Sequence, residues 1–484
     1  MTLRPVRLLL VGLVVALAMG LVGQGRASAA LNWDTFANLS VPGQNASSPD
    51  VRISADGTRA TAIWVRYVGP NSIIQTRSAS RIGNGYTWGP LTNLSAPGED
   101  AASPAIELSA DGSRATAVWE RFDGANEIVQ SSSATIVGNV ATWGAVTDLS
   151  APGGNAMAAR VALAADGSRA TAVWQRHDGS DYIIQSRSAT IAANVATWGA
   201  PTDLSAPGEN GWFPDIALSA DGSLATSVWY RPIGLKYIVQ SSSATILGNV
   251  ATWSAVSNLS APGRDAVSPR VCVSADGLRA TAVWYRDDGA HNIVQSSSAT
   301  ILGNVATWGA VSDLSAPGQH AEGTQLSASA DGATVTAVWR RSNGANEIVQ
   351  SSSATVQGNV ATWGAVTDLS ALGQNGFNPM VRVTPDGSAA VAVWGAVNLI
   401  RLSRATIAGN VATWGAETII SDPSVAQSTF PRIALSSDGS LAVAVWRAWQ
   451  GTSYVIQSSP ATEEEASIPE RALRRGSATA PQRA

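Results

Sequence analysis

Tryptophan recurs through this chain at a fixed interval. One series runs Trp64, Trp119, Trp174, Trp229, Trp284, Trp339, Trp394 and Trp446; a second runs Trp33, Trp88, Trp143, Trp198, Trp253, Trp308, Trp363 and Trp414. The first six steps of each series are 55 residues, and only Trp212 and Trp449 stand outside both. A long sequence period repeated eight times means that the chain is one structural unit copied and stacked. The late irregularity comes from one shortened hairpin at 394–406, four residues shorter than its siblings.

Each unit reads as four short extended runs. In residues 101–150, "AIELSA" leads into Asp111-Gly112, a strong hairpin signal, and then into "RATAVWER", where Ala115, Ala117 and Trp119 alternate with Thr116 and Val118. "FDGAN" turns the chain into "EIVQSSSATI", Gly138-Asn139 turns it into "ATWGAVTDLS", and Ala-Pro-Gly breaks the ladder before the next unit. No helical periodicity interrupts this pattern. A unit of 55 residues without disulfides is marginal as an independent domain, and the period is too long for a β-solenoid. The fold class that remains is all-β: an eight-bladed β-propeller of four-stranded antiparallel blades, spanning 31–461. The eighth unit supplies only three strands, while "LNWDTFANLS" at 31–40 has the form of a fourth strand without the other three. The N-terminal segment is therefore expected to complete the last blade and close the ring, which leaves no free sheet edge.

The hairpin between the first two runs of each unit carries a resemblance. Thr384-Pro385-Asp386-Gly387, with Ser-Ala-Asp-Gly, Ala-Ala-Asp-Gly or Ser-Ser-Asp-Gly in the siblings, resembles the WD-repeat-like propellers of bacterial secreted proteins marked by Ser/Thr-Pro-Asp-Gly. The resemblance covers all eight units and implies fold rather than activity. Gly follows Asp directly, unlike the Ser-x-Asp-x-Gly-x-x-Trp box of sialidase-type propellers, which removes the main support for a sialidase.

Residues 1–30 have the parts of a secretory signal: Arg4 and Arg7, an apolar run from Leu8 to Val22, and a small-residue cleavage site near Ala29. The apolar run is shorter than the roughly 20 residues of a spanning helix, so cleavage and export are expected, with no membrane span in the mature chain. Cleavage takes the formal charge from −4 to −7 (28 basic against 35 acidic residues), which argues against a nucleic-acid partner. Cys272 is the single cysteine and aligns with Arg52, Glu107, Ala162, Ala217, Ser327, Arg382 and Ala434 of the other units, so it reads as structural. The tail 462–484, with Glu463-Glu464-Glu465 and scattered Arg and Pro, lacks an apolar pattern and reads as disordered. Asn38-Leu39-Ser40, Asn93-Leu94-Ser95 and Asn258-Leu259-Ser260 match glycosylation sequons but recur because the repeat does.

Nothing in the sequence assembles a catalytic or metal constellation. His177, His291 and His320 fall in turns of three different units without metal spacing, and there is no nucleophile elbow or phosphate-cradling loop. No cofactor is expected. The Trp-x-Arg step, Arg66, Arg121, Arg176, Arg231, Arg286 and Arg341, either forms an anion-binding ring or pairs with turn acids such as Asp123, Asp178 and Asp287; the second is the simpler expectation.

Sequence differences between units concentrate elsewhere. The first turn (Asp-Gly) and third turn (Gly-Asn) are nearly constant, whereas the second turn and the inter-blade connection vary; in a four-stranded blade these fall on opposite faces of the disc. The variable face collects the exceptional aromatics: Trp212, Phe213, Tyr230, Arg231, Lys236 and Tyr237 in the fourth unit, His177 and Tyr182 in the third, Tyr285 and His291 in the fifth, and Trp449 and Tyr454 in the eighth. Such groups suit sugar rings or protein hot spots. The expectation is a secreted, non-catalytic protein that binds extracellular carbohydrate or a surface protein on this face. The alternatives are a polysaccharide hydrolase or lyase with its site at the axis, and a structural interaction module.

Overall fold

In a computed structural model, residues 31–463 are described apart from Asn84, Pro207 and Leu372. The secretory signal expected in 1–30, and 464–484 of the expected tail, lie outside the described residues. The described chain forms eight antiparallel sheets and no helix. The first blade comprises Ala46–Ile53 at the axis, Arg59–Val68, Asn71–Ile82 and an outer strand in two pieces, Gly85–Trp88 and Thr92–Asn93, both paired with the third strand. The break in the outer strand makes room for the next blade. A Cβ on Gly89 would lie 1.9 Å from the Asn139 carbonyl oxygen, and Asn139 Nδ2 donates to the Thr87 carbonyl at 3.3 Å. The constancy of this turn thus has a cause: in five blades its asparagine fastens the blade to the one before.

Alternation along the second strand sets the core between blades. Ala115, Ala117 and Trp119 pack with Ile63, Val65 and Ile74 of the preceding blade, while Val118 and Val129 pack with Ala170, Ala172 and Trp174 of the following one. All eight tryptophans of the first series are fully buried, each enclosed where a neighbouring sheet offers small and branched side chains. Removing one such ring would cost about 3–5 kcal/mol. In six blades the buried indole N–H donates to a glutamine of the third strand, as Trp119 Nε1 does to Gln130 Oε1 at 3.1 Å. Gln130 in turn donates to Asp148 of the outer strand at 2.8 Å. The seventh blade replaces this relay by Arg401 and Glu417, which form an ion pair. Its hairpin turns in two residues, Val397 and Asn398, both at positive φ, as a tight antiparallel turn requires.

The N-terminal segment closes the ring. Leu31–Trp33 and Ala37–Asn38 pair antiparallel with Tyr454–Glu463, with Trp33 opposite Ala461 and Asn38 opposite Gln457. Asn38 Oδ1 accepts from Gln457 Nε2 at 3.1 Å, so the relay of the last blade is completed from the other end of the chain. The last strand runs two residues past the boundary drawn at 461, because Thr462 and Glu463 pair with Asn32 and Leu31.

The Asp-Gly turns form a second closure. The residue before each Asp donates its N–H to the equivalent carbonyl of the next blade, at 2.6–2.7 Å, in the series 55, 110, 165, 220, 275, 330, 385, and Ser437 returns to Ala55. Seven of the eight links are made; Pro385 has no N–H to make the eighth. The glycine of each turn lies at positive φ and beneath the preceding blade, as Gly57 does at φ 68° against Leu441.

Candidate functional site

Every innermost strand carries the same irregularity near its start. Pairing with the second strand slips between residues such as Trp212 and Asp215 or Thr429 and Arg432. At the slip Ser48, Ser103, Ala158, Phe213, Ser268, Asn378 and Phe430 adopt φ of 49–56°, with Gly323 in the equivalent place of the sixth blade. These are β-bulges, and left-handed backbone at non-glycine residues is uncommon. The bulge re-aims the chain so that its residues border a cavity of about 680 Å³ on the axis, at the end bearing the variable connections. That volume falls in the range of small-molecule sites.

Below the bulge, alternate residues of the innermost strands line the cavity. One level holds Asp50, Ala105, Arg160, Asp215, Arg270, Gln325, Met380 and Arg432; the next includes Arg52, Glu107 and Arg382. Arg52 is satisfied within the protein. Its Nη1 lies 2.8 Å from Asp50 Oδ1, and its Nη2 and Nε donate to Glu107 at 2.8 and 2.9 Å. Burial opposes the charge on Arg52, yet these two carboxylates hold it above the ordinary arginine range. The other four guanidiniums share with Arg52 only its backbone contact, Nη1 to the Val51 carbonyl at 2.9 Å. Arg160, Arg270, Arg382 and Arg432 each donate Nη1 to the carbonyl of the preceding residue, at 2.9–3.2 Å. Among the described residues none of the four has a carboxylate within 4.0 Å. Burial, then the guanidinium of Arg52, brings Arg382 down to about 10 against the pull of Asp50 and Glu107; burial also lowers Arg270 and Arg432, opposed by Asp215 and Asp50 respectively and helped by neighbouring arginines. Asp215 accepts the Val271 N–H at 3.0 Å, and Glu120, raised by burial, accepts the Ala158 N–H at 2.6 Å.

At the rim of this cavity stands the aromatic cluster of the fourth blade. Phe213, which lines the cavity, stacks on Tyr230 with centroids 5.9 Å apart and planes 11° from parallel. Trp212 lies 5.8 Å from Tyr230 and 5.6 Å from Tyr237, and Tyr230 lies 5.7 Å from Tyr237. Burial, with Tyr285 and Tyr237 adding to it, pushes the Tyr230 hydroxyl up to about 12, so it stays a proton donor. Tyr285 also lies near the Ser268 hydroxyl of its own bulge, at 3.5 Å.

The remaining residues singled out from sequence divide into smaller groups. His177 and Tyr182 form an edge pair at 5.1 Å, as do His291 and His320. Trp449 and Tyr454 lie 4.8 Å apart, and Arg447 sits 3.9 Å over the Tyr454 ring and 5.2 Å from Phe430. Lys236 is held by Asp265 at 2.8 Å, and Arg231 by Glu209 at 2.9 Å, so both cations already have partners. The Trp-x-Arg arginines form no axial ring. Arg121 pairs with Glu99 and Arg231 with Glu209 of the preceding connection, while Asp123 binds the N–H groups of its own turn, at 2.9 and 2.8 Å. For these two arginines the connection, not the turn acid, supplies the partner because it folds back over the start of the second hairpin. Burial pushes the Cys272 thiol up to about 12, consistent with a structural role.

The sequence reading missed the axial arginines. The signal lay in the column that aligns Cys272 with Arg52, Glu107 and Arg382, and in the position two residues earlier, where charge changes from unit to unit inside an otherwise apolar strand. Among the described residues no group of three or more His, Cys, Asp and Glu is placed to hold a metal ion.

No protein-family model and no curated protein matches this chain in sequence. Solved structures with a similar course include the Dos1 propeller (9% identity, 89% of this chain and 95% of that one, TM-score 0.47). A putative 6-phosphogluconolactonase from Bacteroides fragilis matches at 13% identity over 78% of this chain and 96% of that one, TM-score 0.39. Prolyl oligopeptidase B from Galerina marginata matches at 10% identity over 84% of this chain and 55% of that one, TM-score 0.44. Likenesses this distant say nothing about chemistry.

Proposed function

We propose that this is a non-catalytic binding protein that takes carbohydrate on its variable face, over the aromatic cluster of the fourth blade. The observation that carries the proposal is Phe213, which stacks on Tyr230 and at the same time borders the axial cavity. Flat aromatic faces beside buried polar groups match the alternating apolar and hydroxyl surfaces of a sugar ring. The cavity carboxylates support a binding role over catalysis. Asp50 and Glu107 are engaged by Arg52, and Asp215 and Glu120 each accept a backbone N–H, so each of the four carboxylates described in the lining already has a partner. The proposal includes action outside the cytoplasm, on the strength of the signal-like residues 1–30.

The test is calorimetry of the full chain against oligosaccharides. Tyr230→Ala should weaken binding about tenfold, the equivalent of roughly 1.4 kcal/mol, and, because the ring also packs on Trp212, Phe213 and Tyr237, binding is compared at a temperature where circular dichroism shows the variant folded. An unaltered affinity in this variant would remove the aromatic cluster from the site. The second reading, a polysaccharide-active enzyme, has one observation in its favour: Glu120, raised by burial, has the character of a general acid. Release of reducing sugars or unsaturated products by the protein, abolished in Glu120→Gln, would establish that reading instead.

A further inference from the structure

We infer that the axial cavity is a carboxylate subsite, so that the saccharide taken on the variable face is an acidic one, an oligouronate. This rests on the carbohydrate reading and narrows it.

Four arginines face one cavity and, among the described residues, none has a carboxylate within 4.0 Å; Asp215, Asp50 and Glu107 act on Arg270, Arg432 and Arg382 only from beyond ion-pair distance, so five arginines, Arg52 included, stand against four carboxylates in the lining. Arg160, Arg270 and Arg432 come from three different blades yet lie within electrostatic reach of one another, so the repulsion is shared across the axis. Like charges held partly out of water are costly, and a bound anion lowers the cost. Guanidinium is also the side chain best shaped for two-point contact with a carboxylate.

The rest of the lining selects among anions. Asp50, Glu107, Asp215 and Glu120 share the cavity with the arginines, which keeps its net positive charge low and disfavours a densely charged polyphosphate. Carboxylates can instead accept hydrogen bonds from hydroxyls. A ligand with spaced carboxylates on a polyhydroxyl frame satisfies both halves of the lining. The rim adds a second selection. Phe213 and Phe430 occupy the same bulge position of the fourth and eighth blades, which stand on opposite sides of an eight-bladed ring, and both line the cavity. Two aromatic faces across a charged centre suit a linear chain laid over the mouth with carboxylates turned inward.

Calorimetry of the full chain at fixed ionic strength tests this, using a tetragalacturonate, a neutral oligosaccharide of equal length and inorganic phosphate. The wild-type protein should bind the uronate at least tenfold more tightly than the neutral chain and should bind phosphate weakly. Arg432→Met and Arg270→Met should each weaken uronate binding tenfold or more, leave neutral binding unchanged, and keep or raise the melting temperature because an unpaired charge is lost. Equal affinity for neutral and acidic chains, unaffected by Arg432→Met, would overturn the subsite while leaving the carbohydrate reading in place. Binding of phosphate as tight as that of the uronate would show an anion site without sugar selection and also overturn the inference. Failure of both saccharides to bind would remove both readings.

Discussion

A phenylalanine in the left-handed bulge that seven blades build from side-chain-bearing residues marks the proposed site. Phe213 has φ of 49° and is 53% exposed, so neither backbone preference nor burial explains a phenylalanine there. Left-handed backbone costs a side-chain-bearing residue about 1–2 kcal/mol, and glycine would avoid that. Phe213→Gly should therefore leave thermal stability unchanged or raise it while lowering oligosaccharide affinity about tenfold, the trade expected where strain serves binding. Thermal melts and titration of the same preparation check both halves, and a fall in stability with intact affinity would assign Phe213 to packing. At this scale the sequence was half transparent. Buried tryptophans announced themselves by periodicity, and the Trp212, Phe213, Tyr230 and Tyr237 cluster by being exceptional among the repeats. The arginines did not, because a charge in an inner strand looks like any solvent-facing residue until the axis is known.

The hairpin elements explain themselves chemically. In the Asp-Gly turn of the second blade Ser109 Oγ donates to Asp111 Oδ1 at 2.6 Å and accepts the Arg114 N–H at 3.0 Å, while Ser113 N–H donates to Asp111 at 2.9 Å. Burial pushes the Asp111 carboxyl up, but these donors together outweigh it and bring it down to about 2. A carboxyl lowered by folding stabilises the native state at pH above its unfolded value, and that contribution is lost as pH falls through the folded one. Asp56, Asp166, Asp221, Asp276, Asp331, Asp386 and Asp438 are lowered in the same way, so acid should act on the whole ring of turns at once. Ser109→Ala should cost about 1 kcal/mol at pH 7, and the difference should shrink below pH 4, as read from denaturant curves at both pH values. A constant difference would show that Asp111 is not the partner that matters. The turns were legible because Asp-Gly has few other uses. The bulges were not, since Ser, Ala, Asn and Phe at that position carry no residue-type signal for positive φ.

At the scale of the whole molecule, blade number and closure followed from arithmetic on the repeat, and the strand pairing of Leu31–Trp33 with Tyr454–Glu463 agrees. The assignment of turns to faces also held physical content. The constant face is constant because its turns link blade to blade, through the ring of backbone hydrogen bonds and the Gly-Asn contacts. The variable face has links as well, such as Asn155 Oδ1 to the Glu127 N–H at 2.9 Å, but these use one residue of each connection and leave the others free to differ. What the repeat alone concealed is that variation continues from this face into the cavity, where blade identity becomes charge.

Hydrogen exchange on the full chain, with and without tetragalacturonate, tests the central claim most directly. The account predicts slowed exchange at the connections and bulges leading into Trp212–Leu218 and Ser428–Leu435, with the Asp-Gly turns of the opposite face unchanged. Protection confined to those turns, or absent from both faces, would contradict it.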